Sequence, residues 1–185
     1  MAMPLVVPRY TLRDLESFPD DGSRYELLDG LLLVTPAPAP LHELVVSNLA
    51  AALTEYLRPT GLARVLTRGS IEREPNVHFE PDVLVIPRDA MGTAVGEDTR
   101  WTAISRWWLA VEVSGRGSIL YDRDYKLPSY LALGVREGWR VDLTERCIFV
   151  SRVGHPEIRH DDEVIWHPSE LAESLSLDIG DLFRP

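Results

Sequence analysis

The 185-residue chain reads as a mixed α/β protein built around one sheet. Three observations carry that expectation. Candidate elements follow in the order helix, hairpin, helix, several strands, helix, hairpin. Two compact apolar runs, Asp82-Val-Leu-Val-Ile86 and Trp108-Leu-Ala-Val-Glu-Val113, read as strands buried on both faces, the pattern of a sheet covered by helices. With 45% hydrophobic and 26% charged residues, the length suits a single domain, residues 1–185, with a real core.

The elements follow in order along the chain. Thr11 to Asp14 has the capping-box pattern of a helix start. Strands Arg24 to Leu28 and Leu31 to Val34 flank Asp29-Gly30, the strongest short hairpin signal. Pro36, Pro38 and Pro40 end the second strand. Leu41, Val45, Leu49, Ala52, Leu53 and Tyr56 recur at three and four, predicting an amphipathic helix over 41–57 that stops at Arg58-Pro59-Thr60-Gly61. Strands are expected at Ala63 to Arg68, Asp82 to Ile86 and Trp107 to Val113. The segment between the last two, Pro87 to about Ser105, is long for a loop in a compact domain and reads as functional or mobile. A short helix within Tyr121 to Leu133, with Pro128 in its first turn, places Lys126 at its start. Trp139 to Leu143 and Arg146 to Val153 form a second hairpin. The acidic C-terminal extension, residues 154–185, is expected to pack on the domain, with a short helix around Pro168 to Ser174.

Composition narrows the function. The net charge of −10 disfavours nonspecific nucleic-acid binding, although residues 58–152 carry 14 basic and 13 acidic groups and could meet phosphate locally. No apolar run is long enough to span a bilayer, and no charged-then-apolar leader supports secretion. The lone Cys147 excludes a disulfide framework and a cysteine-based zinc cluster, so a reducing, cytoplasmic setting is expected. Lys126 is the only lysine among 19 basic residues. Codon drift in a GC-rich genome would account for the arginine excess. It also makes a retained lysine a candidate for a place where a guanidinium would not fit.

The most informative residues are two acids in apolar strands, Asp82 and Glu112. A buried carboxylate costs several kcal/mol, to order of magnitude, unless something compensates it. One reading pairs each acid with an arginine or places it at a strand end in water. The other has both share a divalent cation, magnesium or manganese by the preference of carboxylate oxygens. Such an ion activates water and neutralises a phosphoryl oxygen, with the Lys126 ammonium assisting. Other candidates are weaker. His78, Glu80 and Asp82 alternate, but Pro81 interrupts them and His78 reads as an edge or surface residue. His155, His160 and His167, with Asp161 and Asp162, fit no compact ligand spacing. No nucleophile elbow or phosphate-binding loop is present around Ser114 to Ser118. Trp107 and Trp108 read as core. Arg116 and Arg123 flank the expected site and could contact phosphate, although surface ion pairs are the commoner role.

The chain resembles the Uma2 (DUF820) family of the PD-(D/E)XK restriction-endonuclease-like superfamily. The resemblance rests on Tyr25-Glu-Leu-Leu-Asp-Gly30, Pro81-Asp-Val-Leu-Val85, Val111-Glu-Val-Ser114, Tyr121-Asp-Arg-Asp-Tyr-Lys126 and Tyr130 through Gly134-Val135 to Trp139-Arg-Val-Asp142, in the family's order. It implies a restriction-endonuclease-like α/β core, with a mixed central sheet flanked by helices and hairpins. It makes Asp82 and Glu112 the metal-binding acids, with the Val113 carbonyl as a third ligand. Lys126 is then the migrated catalytic lysine, since Ser114 stands where the superfamily's lysine usually is. By the same resemblance Glu26 is an accessory catalytic acid and His42 a site-edge, substrate-binding residue. Ser114-Gly-Arg-Gly-Ser118 replaces a Ser-Pro-Ser-like turn, Pro128 closely follows Lys126, and Glu137-Gly138-Trp139 replaces Glu-Tyr-Trp.

The reading is therefore a Mg2+- or Mn2+-dependent DNA endonuclease. A homodimer would supply the two sites that cutting two strands needs, though no interface is visible in the sequence. The alternatives are a catalytically silent nuclease-fold binding module and a metal-dependent phosphoesterase acting on nucleotides.

Overall fold

The computed structural model describes residues 7–92 and 99–185. It opens with α1 (Leu12–Leu15), where Asp14 accepts from the Thr11 backbone N–H at 2.7 Å and from its hydroxyl at 2.8 Å. Strands β1 (Arg24–Leu28) and β2 (Leu31–Thr35) pair antiparallel. Asp29 and Gly30 both take positive φ, 48° and 80°, as a two-residue turn matched to strand twist requires. Helix α2 (Pro40–Leu57) has proline in its first turn and ends in a 3-10 turn, Arg58–Thr60, before Gly61 at φ 65°.

The chain then runs through β3 (Ala63–Thr67), β4 (Ile71–Arg73), β5 (Val77–Phe79), β6 (Val83–Pro87) and β7 (Trp107–Ser114). Between β6 and β7, Arg88–Ala90 and Trp101–Ala103 form 3-10 turns, and residues 93–98 of the long segment lie outside the described residues. The crossover to β8 (Val135–Asp142) is helical: α3 (Ile119–Tyr121), a π-helical turn (Asp122–Lys126), then α4 (Leu127–Leu133). The chain closes with β9 (Cys147–Arg152), β10 (Ile158–His160), β11 (Glu163–Trp166) and β12 (Leu175–Asp178).

The central sheet has the order β10-β9-β8-β7-β6-β3 and is mixed, because β7 and β8 run parallel while its other pairs are antiparallel. A smaller sheet, β2-β1-β5-β4, covers part of one face. The β6 side chains divide between two cores. Val83 and Val85 pack with Leu49 and Leu53 of α2, whereas Leu84 and Ile86 pack with Phe79 of β5 and Tyr130 of α4.

Three expectations differ from the structure. No helix forms at Pro168–Ser174, where buried Pro168 and Leu171 anchor a turn-rich stretch and the Leu171 carbonyl accepts from His167 Nε2 at 2.8 Å. Strand β8 begins at Val135 rather than Trp139, because Gly134 at φ 103° ends α4 and feeds the strand directly. The exposed Arg136 and the glycine at 138 break the apolar pattern there. His78 sits on an interior strand of the small sheet, since β5 ends at Phe79, before Pro81. No helix among the described residues is long and apolar enough to cross a membrane.

Candidate active site

Strand register brings the two expected acids together. Antiparallel β6 and β7 pair Val83 with Val111, so Asp82 and Glu112 fall opposite one another at adjacent strand ends. Alternation then points Glu112 the same way as Ala110, toward the core shared with α4 and the small sheet. Strand β1 delivers Arg24 and Glu26, and the first turn of α2 delivers His42. The helical crossover delivers Asp122 and Lys126.

These side chains line one cavity of about 390 Å³, walled by Thr35 to Ala39 on one side and by Gly115, Gly117, Ser118 and Tyr121 on the other. Its charged groups are deeply buried: Glu26, Asp82, Glu112, Asp122 and Lys126 are 1 to 4% exposed. Lys126 Nζ lies 2.8 Å from Glu26 Oε1 and 2.9 Å from Glu112 Oε1. Glu112 Oε1 also accepts from the buried Tyr130 hydroxyl. Asp82 Oδ1 accepts from Arg24 at 2.6 Å, and its Oδ2 accepts from His42 Nε2 at 3.1 Å and the Val113 backbone N–H at 2.8 Å.

The electrostatics follow from burial and crowding. Burial pushes the Asp82 carboxyl up, but the His42 hydrogen bond and the Arg24 charge outweigh it and hold it at about 2. Burial likewise drives Glu112 well upward, opposed by Lys126 and reinforced by the charges of Asp82, Asp122 and Glu26. Burial alone would release the Lys126 proton; the Glu112, Glu26 and Asp122 carboxylates raise its affinity instead and keep the ammonium charged. His42 is raised because Asp82 overcomes its desolvation.

Asp82 does not need a metal ion to be tolerated, which corrects the shared-cation account of its burial: Arg24, His42 and a backbone N–H already satisfy it. Among the described residues, no group of three or more His, Cys, Asp or Glu is arranged to hold a metal ion. The donor chemistry nonetheless fits a hard divalent cation. Asp82, Glu112 and the adjacent Val113 backbone offer oxygens. Four carboxyl groups share the cavity with two obligate cations, Arg24 and Lys126, although burial favours the neutral forms of Glu112 and Asp122.

The expected residues do not all converge. Arg116 is exposed on the loop after β7, and Arg123 is exposed and ion-paired with its neighbour Asp124 at 2.7 Å; neither lines the cavity. Sequence reasoning missed Arg24, Asp122 and Tyr130. Arg24 stands two residues before Glu26 on one strand face. Asp122 and Tyr130 stand four residues either side of Lys126, where helical neighbours lie. Ser114, at the position where the superfamily's lysine is expected, donates to Asp122 Oδ2 at 2.7 Å and so ties β7 to the turn that carries Lys126.

A mixed sheet flanked by helices, with two acids at neighbouring strand ends and a lysine supplied by the crossover helix, defines a restriction-endonuclease-like α/β fold. Residues 11–180 match the Uma2 family, described as "Putative restriction endonuclease", and the chain belongs to that family. A solved structure similar to it is described as a "putative nuclease belonging to DUF820" from Anabaena variabilis ATCC 29413. The two share 20% identity with a TM-score of 0.77, over 94% of this chain and 97% of that one. No curated protein matches the chain.

Proposed function

We propose that the protein is a metal-dependent endonuclease that hydrolyses phosphodiester bonds in DNA. The observation that carries this reading is the convergence of Asp82, Glu112, Glu26 and Lys126, from four separate elements of the chain, in one buried cavity. Asp82, Glu112 and the Val113 carbonyl would hold Mg2+ or Mn2+. Such an ion, when bound, supplies an activated water and neutralises a phosphoryl oxygen.

The chain's own groups have distinct work. Lys126, kept charged by Glu26 and Glu112, presents a compact ammonium to the scissile phosphate. Glu26 also accepts from the Glu80 backbone N–H at 2.8 Å, which fixes the carboxylate that orients Lys126. Tyr130 donates to the same Glu112 oxygen that Lys126 contacts. His42 orients Asp82 at the edge of the site and faces substrate. Arg116 and Arg123, outside the cavity, contact more distant phosphates. Cutting both strands of a duplex would take two such sites, hence two copies of the chain. The whole chain, residues 1–185 with the acidic extension packed on it, acts as one domain in a reducing, cytoplasmic setting.

Incubation of DNA with Mg2+ or Mn2+, with and without EDTA, tests this. The wild-type protein should cleave only with metal, and its thermal midpoint should rise with metal concentration. Asp82→Asn and Glu112→Gln should lose both responses. Lys126→Met should lose about 10²–10³-fold in rate. An Asp82→Asn protein that cleaves as well as wild type would overturn the proposal. The donors already occupying Asp82 favour a second reading, a nuclease fold kept as a binding module. That reading predicts neither metal-induced stabilisation nor cleavage. Faster hydrolysis of small phosphoesters than of DNA would instead mark a nucleotide phosphoesterase.

A further inference from the structure

The mouth of the cavity carries an aromatic pair that the reaction does not use. Tyr121 lines the cavity, and its ring stacks on that of Tyr125, with centroids 5.7 Å apart and planes 24° from parallel. Tyr125 is 54% exposed, so its ring is open to solvent beside the cavity. We propose that the site acts on unpaired DNA, one base of which stacks on the Tyr121–Tyr125 platform while its phosphate enters the cavity. This rests on the nuclease reading and narrows its substrate.

Three further observations favour an unpaired strand. The carboxylates are 1 to 4% exposed in a cavity of about 390 Å³, so a phosphodiester reaches them only by leaving the surface of a stiff duplex. Of the two cations lining the cavity, Arg24 is taken up by Asp82, which leaves Lys126, held by Glu26 and Glu112, to meet the scissile phosphate. With a net charge of −10, the chain is poorly placed to gain affinity by neutralising a duplex backbone. Stacking on an aromatic ring accepts any base and, together with contacts to the backbone, is how single strands are commonly held. A single strand also needs only one site.

The test compares a short labelled oligonucleotide as a single strand, as a blunt duplex and as a duplex with an unpaired tail, using wild type, Tyr125→Ala and Tyr125→Phe with Mg2+ or Mn2+. The single strand and the tail should be cut, with the blunt duplex at least about tenfold slower. Tyr125→Ala should raise KM for the single strand about tenfold with kcat little changed, and Tyr125→Phe should behave as wild type, because stacking needs the ring and not the hydroxyl. Tyr125 is exposed, so equal melting of the three proteins confirms that folding is intact. Equal cutting of blunt duplex, or an unchanged KM in Tyr125→Ala, overturns the platform and leaves the nuclease reading standing. If nothing is cut, the nuclease reading falls, and anisotropy of the labelled single strand decides the platform. Binding that Tyr125→Ala weakens supports it, and binding indifferent to Tyr125, or none, overturns it.

Discussion

His78 shows how this protein buries charge. The side chain is 12% exposed, its Nδ1 lies 3.0 Å from Glu72 and its Nε2 3.1 Å from Glu80. Burial would lower its proton affinity, but two carboxylates hydrogen-bonded to one ring raise it to about 9. A raised folded-state value means that the stabilising contribution is fully present below the unfolded value of about 6.5 and is lost as pH rises through about 9. Urea unfolding of wild type should therefore lose on the order of 2–3 kcal/mol across that window relative to His78→Gln, which lacks the titrating group. Parallel pH profiles for the two proteins would refute the assignment. The same pairing explains what could be read at Asp82 and Glu112. An acid inside an apolar run announces a compensated site, and that much was legible. The identity of the compensating group was not, because Arg24 comes from a strand 58 residues away and only the tertiary fold sets it on Asp82.

At the scale of elements, strongly patterned segments were legible and weakly patterned ones were not. The Asp29-Gly30 hairpin and α2 formed where turn chemistry and periodicity placed them. Strands β4 and β5 have three residues each, too few to show alternation. The helix expected near Pro168 lacked an apolar stripe to bury and gave way to the β11–β12 hairpin. The crossover is the element on which the site depends most. Its π-helical turn buries Asp122 and Lys126 together, and mid-helix π turns frequently mark functional positions. Leu127, the next residue, seats its side chain against Gly138 of β8, where an added Cβ would run into Leu127 Cδ1. Gly138→Ala should force buried Leu127 to shift, costing about 1–3 kcal/mol by overpacking and displacing Lys126 beside it. Cleavage should then fall more steeply than stability alone explains. A fully active Gly138→Ala would show that α4 yields without moving Lys126.

The larger core is shared by α2, the central sheet and the C-terminal extension. Trp166 of β11 meets Trp139 of β8 with ring centroids 6.0 Å apart at 78°, and meets Tyr56 of α2 at 6.0 Å and 61°. Val164, Leu177, Ile179 and Leu182 fill the same core beneath α2. Asn48 of α2 donates to the Leu182 and Arg184 carbonyls at 3.0 and 2.9 Å, and the Tyr56 hydroxyl donates to the Glu173 carbonyl at 2.5 Å. The acidic extension thus clamps the helix whose first turn carries His42, although its charge alone would mark it as a solvated tail. Trp166→Ala should cost about 3–5 kcal/mol, a large share of the 5–15 kcal/mol that holds a typical domain folded. The thermal midpoint should drop by about 10 °C. Because Trp166 does not line the cavity, the variant should keep any metal-induced rise in its midpoint. Removing residues 161–185 takes away all of these contacts at once and should abolish cooperative melting. A truncated chain that melts like the full one would mean that α2 and the central sheet form a sufficient core without the extension.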